Sequence, residues 1–438
     1  MSREGPPWTP EQAESRLRAL ELFGMRFGLD RMRRMMTALG SPQARLRSIH
    51  VVGTNGKSST TRMIAAILER HGLRTGAYLS PHLISYAERV RIGGAEISPQ
   101  ELAEAIGRAA TAADQVNRTL AGDDHVTQFE LLTAAALWIL AGREVDVAVV
   151  EAGLGGRYDA TAVIGASVCA LTNVGLEHTR WLGPTVRDIA AEKLAVVGDG
   201  ATLAIGSDPH PDVLELAHEV ARERGARVVL APPGVPAGEE LRAPGAFQQR
   251  NFALAAAGAQ AHLERVGVKL RERAVREAAA ATTVPGRLQV LAGEPLTVLD
   301  GAHNPDAVAA LVESLPPLVG ARALGLVVGV LEDKSAVEML RQLLPLCARA
   351  WFTAPPNPRA LPPATLESLA HQLGDVEVEC EVRPAPAMHA ARAWALEQPG
   401  RRAVLATGSI YLVGELMRVL DVRAELRPAG EAATVEAR

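Results

Sequence analysis

Residues 48–71 read SIHVVGTNGKSSTTRMIAAILERH. Ile49, Val51 and Val52 make a short apolar run closed by Gly53, the pattern of a buried strand. Gly53-Thr54-Asn55-Gly56-Lys57-Ser58-Ser59 follows as a turn, and Met63, Ile64, Ile67 and Leu68 then recur at helical spacing, with Gly72 placed to end the helix. Polyphosphate binding asks for this order of strand, turn and helix. Glycines let the backbone come close to a phosphate, and the free N–H groups of the first helical turn point at the anion. Lys57 adds a compact positive charge, and Ser58 or Ser59 stands where a phosphate-bound magnesium ion is reached. The general P-loop pattern has a further glycine at the position held here by Val51, so the turn is a variant.

The rest of the chain supports an α/β reading. Apolar runs at Gly76–Leu79, Val145–Val150, Val168–Leu171, Thr202–Ile205 and Arg227–Leu230 predict strands, and helical stretches lie between them. Residues 99–118 and Phe129–Leu140 are two of these helices, the second entered through Thr127. Such alternation predicts a parallel sheet covered on both faces. An alanine-rich helix is expected over 251–281, then a hinge at Thr283-Val284-Pro285-Gly286-Arg287. A second alternating series follows, with strands at Leu296–Leu299, Leu324–Val330, Ala350–Thr353, Val376–Val382 and Ala403–Ala406. Residues 10–40 read as helical, with Arg31, Arg33 and Arg34 on a solvated face, and the segment after about 422 reads as a frayed tail.

Composition excludes several classes. The chain has 438 residues, enough for two or three domains, and a net charge of −4, which offers no nucleic-acid or membrane surface. Aromatic residues are only 3%, too few for a base-stacking platform. Cys169, Cys347 and Cys380 are scattered, which fits a reducing cytoplasm rather than a disulfide framework. The first residues contain no signal-peptide apolar core, and Leu131–Ala141 is too short to span a bilayer.

Ligands of doubly wound sheets sit beyond the carboxyl ends of the strands, and several reactive groups fall there. Glu151 ends one strand and opens the glycine loop Ala152-Gly153-Leu154-Gly155-Gly156-Arg157, where a carboxylate suits magnesium. Glu177-His178 follows the Val168 strand, and Asp300-Gly301-Ala302-His303-Asn304-Pro305 follows the first strand of the second series. Gln248, Asn251 and Arg287 are placed to reach the same cleft, with Asp300 facing the nucleotide across it. Lys193 reads from composition alone as a surface helix lysine, and Arg287 as either a cleft residue or a solvent-facing linker.

An ordered series of motifs resembles the Mur-ligase superfamily, and within it the folylpolyglutamate synthase/dihydrofolate synthase family. The series is GTNGKSS (53–59), SPHL (80–83), AERVRIGG (87–94), TQFELLTAAA (127–136), EAGLGGRYDAT (151–161), LEHTRWLG (176–183), IAAEK (189–193), QQRN (248–251), PGR (285–287), DGAHNP (300–305) and TGSIYLVG (407–414). Fewer than fifty residues precede the P-loop strand, which leaves no room for the N-terminal UDP-substrate domain of a true Mur ligase. The resemblance implies a P-loop ATPase domain over 1–286 and a smaller Rossmann-like C-terminal ligase domain over 287–438. It implies an enzyme that joins L-glutamate to dihydropteroate or to reduced folate, with ATP as cosubstrate, two magnesium ions and an acyl-phosphate intermediate, working as a cytoplasmic monomer. The residues that match the family's ATP positions are Gly53, Thr54, Asn55, Gly56, Lys57, Ser58, Ser59, Asn251, Arg287 and Asp300. Ser80, Glu151 and His178 match magnesium ligands, and Lys193 matches a lysine carried as a carbamate. Lys57, Glu151, His178 and Lys193 thereby form the catalytic group. The pterin side falls on Met25, Arg26 and Phe27, on Val126, Thr127, Gln128 and Phe129, and on Tyr158, Asp159 and Ala160, with His303 and Ser409 on the glutamate side.

The chain departs from the family pattern at Ser58 (usually Gly), Ala162 (usually Asn), Glu177 (usually Asp), Phe247 (usually His) and Ser335 (usually Asp). Two other readings use the same P-loop: a Mur-like ligase with a different carboxylate acceptor, and an ATP-binding pseudo-enzyme. A peptidoglycan precursor that supports turnover marks the first, and ATP binding without a glutamate-dependent product marks the second.

Overall fold

The computed structural model describes residues 7–21, 27–235 and 240–421. Met25, Arg26 and the segment after 422, for which expectations are given above, lie outside the described residues. The chain divides into two compact units: residues 1–242 with 248–282, and residues 243–247 with 283–438. The division thus falls at 282/283, and a short piece ahead of it joins the second unit.

The first unit is built on strands β1 (Ser48–Val52), β2 (Thr75–Tyr78), β3 (Val90–Ile92), β4 (Ala95–Glu96), β5 (Val147–Glu151), β6 (Ala166–Leu171), β7 (Thr202–Ile205) and β8 (Arg227–Leu230). They form one sheet in the order β4-β3-β2-β5-β1-β6-β7-β8. From β2 to β8 the strands are parallel, and the β3–β4 hairpin adds antiparallel strands at one edge, which the parallel expectation did not include. The hairpin segment is short, charged and half exposed, so it lacks the apolar run that marks a buried strand. Every residue of β1 and β5 is buried, as their unbroken apolar runs require.

Helix Gln128–Gly142 is apolar on most of its surface because it packs beneath the sheet with helix Pro99–Asn117 outside it. Its start is fixed by a reciprocal capping box between Thr127 and Glu130. The helix expected over 251–281 is two helices, Ala246–Arg265 and Glu272–Ala281. Gly267 at φ 73° ends the first, and Val268 N–H turns back to the carbonyl of Leu263 at 2.9 Å.

Arg31 is also corrected. It is buried on helix Asp30–Ala38 rather than solvated, and its guanidinium meets Glu130 at 3.0 Å and Asp124 at 3.0 Å. Burial works to lower its pKa, but the two carboxylates outweigh burial and raise it. The signal is faint in sequence, since both partners lie about a hundred residues away.

The second unit holds β9 (Gln289–Leu291), β10 (Thr297–Leu299), β11 (Ala323–Val328), β12 (Cys347–Phe352), β13 (Glu377–Cys380) and β14 (Arg402–Thr407), in the order β13-β12-β11-β14-β10-β9. β9 alone runs antiparallel, on the edge beside β10. Its core gathers Leu326, Val328, Met339, Leu340, Phe352 and Leu405. Both units are α/β, and in both the loops named above leave the carboxyl ends of adjacent strands. Among the described residues no helix is long and apolar enough to cross a membrane.

Candidate active site

In the first unit, neighbouring strands β2, β5, β1 and β6 send out the loops that begin at Leu79, Ala152, Gly53 and Thr172. The loop after β1 turns through Gly53 at φ 150° and Gly56 at φ 82°, and helix Lys57–Arg70 starts immediately beyond. A methyl group at Gly53 would lie 1.8 Å from Thr172 Oγ1, and one at Gly56 would lie 2.4 Å from Asn251 Oδ1. Both positions therefore need glycine for conformation and for space. The close approach also brings Asn251 to the P-loop, with its side-chain amide donating to Gln248 Oε1 at 3.0 Å. Gln248 is fully buried, and its Nε2 has no hydrogen-bond partner.

The loop after β6 laces the P-loop in place. Thr54 N–H donates to the Asn173 carbonyl (2.9 Å) and Asn55 N–H to Asn173 Oδ1 (2.9 Å). Thr172 Oγ1 donates to the Asn55 carbonyl (2.6 Å), and Gly175 N–H donates to Thr54 Oγ1 (3.0 Å). The sequence reading gave these residues no role. Their signal was a polar Thr-Asn pair at the carboxyl end of a buried strand.

Ser58, Ser80 and Glu151 come together. Glu151 is buried, with Oε1 accepting from Ser58 Oγ at 2.8 Å and Oε2 from Ser80 N–H at 3.0 Å. Ser59 is buried one residue further into the helix. Lys57 curls back to donate to the carbonyls of Gly53 (3.1 Å) and Thr54 (2.9 Å). Lys193 donates to the same Gly53 carbonyl at 2.9 Å.

Lys193 is not a surface lysine but 3% exposed. Burial, joined by the nearby Lys57 charge, pushes its pKa down to about 7. Its inward direction comes from the glycine loop. A methyl at Gly156 would lie 2.7 Å from the Glu192 carbonyl, and Arg157 N–H donates to that carbonyl at 2.9 Å. Helix Val186–Leu194 therefore lies against the loop's backbone.

His178 opens the short helix Thr179–Leu182 from a left-handed conformation, φ 54° and ψ 34°, with its Nε2 3.7 Å from Glu177 Oε1. A non-glycine residue in that region stores strain, which marks the position as specially held.

The residues of this unit that the family resemblance expects on the pterin side also gather. Phe129 stacks on Tyr78 with ring centroids 6.3 Å apart, and a methyl at Gly153 would lie 2.6 Å from Phe129 Cζ. Asp159 is buried and accepts from Leu154 N–H (2.8 Å) and Thr161 N–H (3.0 Å). Burial raises its pKa against the pull of these donors. Val126 and Ala160 are buried, Thr127 spends its hydroxyl on the helix cap, and Gln128 donates to the Leu17 carbonyl at 3.1 Å. Phe27 and Tyr158 stand on the surface as ring neighbours, centroids 6.2 Å apart.

In the second unit Asp300 is buried at the end of β10, accepting from Leu288 N–H and Ala302 N–H at 2.8 Å each. Burial raises its pKa, opposed by Arg287. Arg287 is no linker residue in solvent. Its guanidinium donates to the Gly286 carbonyl at 3.0 Å and lies where a side chain on Gly301 would be. His303 Nδ1 bonds the Gly301 carbonyl at 2.9 Å. Ser409 is buried and caps helix Ile410–Val419, and Gly408 N–H ties its loop to the Ala302 carbonyl at 3.0 Å. The loops bearing His303 and Ser409 thus adjoin, as the pairing of β10 with β14 dictates.

Residues 286–410 match the family model described as Mur ligase, glutamate ligase domain. With the P-loop unit ahead of that segment, the chain is an ATP-dependent ligase of the Mur-ligase fold. It is 33% identical to folylpolyglutamate synthase of Lacticaseibacillus casei, over 89% of this chain and 94% of that protein. It is 34% identical to dihydrofolate synthase/folylpolyglutamate synthase of Escherichia coli K12, over 90% of this chain and 92% of that protein. The structure of Mycobacterium tuberculosis folylpolyglutamate synthase complexed with ADP and AMPPCP superposes with a TM-score of 0.86 at 31% identity, covering 93% of this chain and 98% of that one. The chain belongs to the folylpolyglutamate synthase/dihydrofolate synthase family.

Proposed function

We propose that this chain joins L-glutamate to dihydropteroate and extends reduced folates by γ-linked glutamate, using ATP. A carboxylate is a poor acyl donor. Its oxygen attacks the γ-phosphorus of ATP and ADP leaves. The glutamate amine, as free base, then attacks the acyl carbon of the mixed anhydride, and phosphate departs.

The observation that carries this reading is the convergence of two lysines on one P-loop carbonyl, in a unit whose Glu151 is held by Ser58 and Ser80. Lys57 and the N–H groups at the start of helix Lys57–Arg70 bind phosphate oxygens and hold the two anions together. Most of the remaining rate comes from holding carboxylate and phosphorus in line with water excluded.

Hydroxyl and carboxylate oxygens suit magnesium, which takes few protein ligands and keeps water and phosphate oxygens. Among the described residues no three His, Cys, Asp or Glu side chains form a metal cluster. Ser80, Glu151 and His178 would hold one ion, and a second would need Lys193 as its carbamate. Bound magnesium supplies charge neutralisation for the phosphates. A buried lysine with pKa about 7 has an uncharged amine near neutrality, the form that combines with carbon dioxide.

Asn251, Arg287 and Asp300 are assigned to ATP, and His303 and Ser409 to glutamate, on the family match. The same reading places the enzyme in the cytoplasm as a monomer.

Phosphate release from ATP and magnesium is the test, measured with glutamate and either dihydropteroate or tetrahydrofolate. Turnover with both is expected. Lys57→Ala and Glu151→Ala should abolish it, and Lys193→Ala should lose it with partial recovery in acetate. No turnover with either acceptor, despite ATP binding, overturns the assignment.

A further inference from the structure

His50 is a polar side chain in the middle of strand β1, 1% exposed and flanked in the sheet by Val150 of β5 and Cys169 of β6. It takes no part in the phosphate chemistry described above. A buried imidazole is tolerated in such a place only with a hydrogen-bond partner. Its partner is Thr161, fully buried just past the glycine loop, with Nε2 and Oγ1 2.8 Å apart. Thr161 Oγ1 in turn donates to Asp159 Oδ1 at 2.5 Å. The hydroxyl has one proton and gives it to the carboxylate, so toward His50 it accepts.

Asp159 pins the glycine loop. Its Oδ2 accepts from Leu154 N–H at 2.8 Å, and its Oδ1 accepts from Thr161 N–H at 3.0 Å. Its own N–H donates to the Gly156 carbonyl at 3.1 Å. Gly153 is wedged against it, since a methyl there would lie 3.0 Å from Asp159 Oδ2 and 2.6 Å from Phe129 Cζ. The loop is thus tied to β1 at both ends. Ala152 N–H donates to the Val51 carbonyl at 2.9 Å where the loop begins, and His50 reaches its far end through Thr161. The first tie is made by backbone, the second by the His50 side chain.

We propose that His50 is a positioning residue for the acceptor: it fixes the Thr161 hydroxyl on Asp159 and so seats the glycine loop that receives the acceptor. This rests on the ligase reading given above, in which Asp159 lies on the pterin side. A threonine hydroxyl turns freely unless its donor and acceptor positions are both engaged. With His50 donating, one orientation remains, and the bond to Asp159 is strengthened because hydrogen bonds in a chain polarise one another. Burial raises the Asp159 pKa, and the Thr161 hydroxyl is among the donors that hold it down. Without the imidazole the hydroxyl can turn away, and the carboxylate loses the group that fixes its direction. The P-loop should not feel this change, because Thr172, Asn173 and Gly175 lace it separately.

Steady-state kinetics of His50→Leu, His50→Gln and Thr161→Val test this, with dihydropteroate and tetrahydrofolate as acceptors. His50→Leu fills the space without a donor. It should raise KM for both acceptors about tenfold, the scale of one lost hydrogen bond, while KM for ATP moves less than about twofold. His50→Gln presents an N–H near the place of Nε2 and should recover most of the loss. Thr161→Val breaks the same link from its other end and should show the same split between acceptor and ATP. The double variant His50→Leu/Thr161→Val should be no worse than Thr161→Val alone, since the two residues act as one unit. Ile205→Val, buried in β7 away from this chain of bonds, should lower the melting midpoint and leave each KM unchanged.

A parallel rise in KM for ATP, an unchanged acceptor KM in folded His50→Leu, or a His50→Gln variant as poor as His50→Leu overturns the proposal. Losses that multiply in the double variant also overturn it. Where His50→Leu does not fold, Thr161→Val decides by the same split between acceptor and ATP. If the wild type turns over neither acceptor, the ligase reading fails and the proposal falls with it. If it turns over either one and the His50 and Thr161 variants match it, the positioning role alone fails.

Discussion

His50 lies at the centre of β1 with its Nε2 2.8 Å from Thr161 Oγ1, and Thr161 Oγ1 in turn donates to Asp159. The hydroxyl proton is thereby committed to the carboxylate, so His50 Nε2 carries the hydrogen. Burial lowers its pKa to about 4. The unfolded chain takes up this proton as pH falls through about 6.5, whereas the folded chain resists until about 4. Stability present above pH 6.5 is therefore lost between those values and levels off below them. The urea midpoint of the wild type should fall across this window, at up to about 1.4 kcal/mol per pH unit from this one group. His50→Gln keeps an N–H for Thr161 and does not titrate, so its midpoint should fall less steeply. Parallel profiles for the two proteins would show that the His50 pKa is the same in the folded and unfolded chain. None of this was legible in SIHVV, where a histidine in an apolar strand carries no sign of its distant partner.

At the level of single elements, helix Asp30–Ala38 is locked to the start of helix Gln128–Gly142 by Arg31 and Glu130. Arg31→Ala strands Glu130 without its counter-charge and should cost about 3–5 kcal/mol, read as a shift in denaturant midpoint. Arg31→Met together with Glu130→Gln removes both charges and should cost clearly less than the single change. An equal loss would mean that the ion pair does not govern the coupling. The strands of both units were legible because uninterrupted apolar runs have few other destinations. The hairpin β3–β4 and edge strand β9 were not, since short, partly exposed strands carry little pattern. The P-loop was legible from its own residues. The ladder from Thr172, Asn173 and Gly175 that shapes it arises only from the pairing of β1 with β6. Lys193 looked like an exposed helix residue because its burial depends on the Gly156 contact, which lies far off in sequence.

Across the whole molecule, each unit has its own sheet and its own packed interior. Heat unfolding should therefore depart from a single two-state transition, with the calorimetric enthalpy exceeding the van't Hoff value. A ratio of one would show that the units melt together. The glycine loop after β5 has wider reach than either interior. On one side it meets Phe129, and on the other it sets helix Val186–Leu194 and hence Lys193. A heritable change at Gly153 presses on Phe129, and one at Gly156 presses on the helix that carries the lysine. Divergence toward new acceptors within this lineage should accumulate away from those two glycines, at positions where a side chain can be exchanged without moving the lysine.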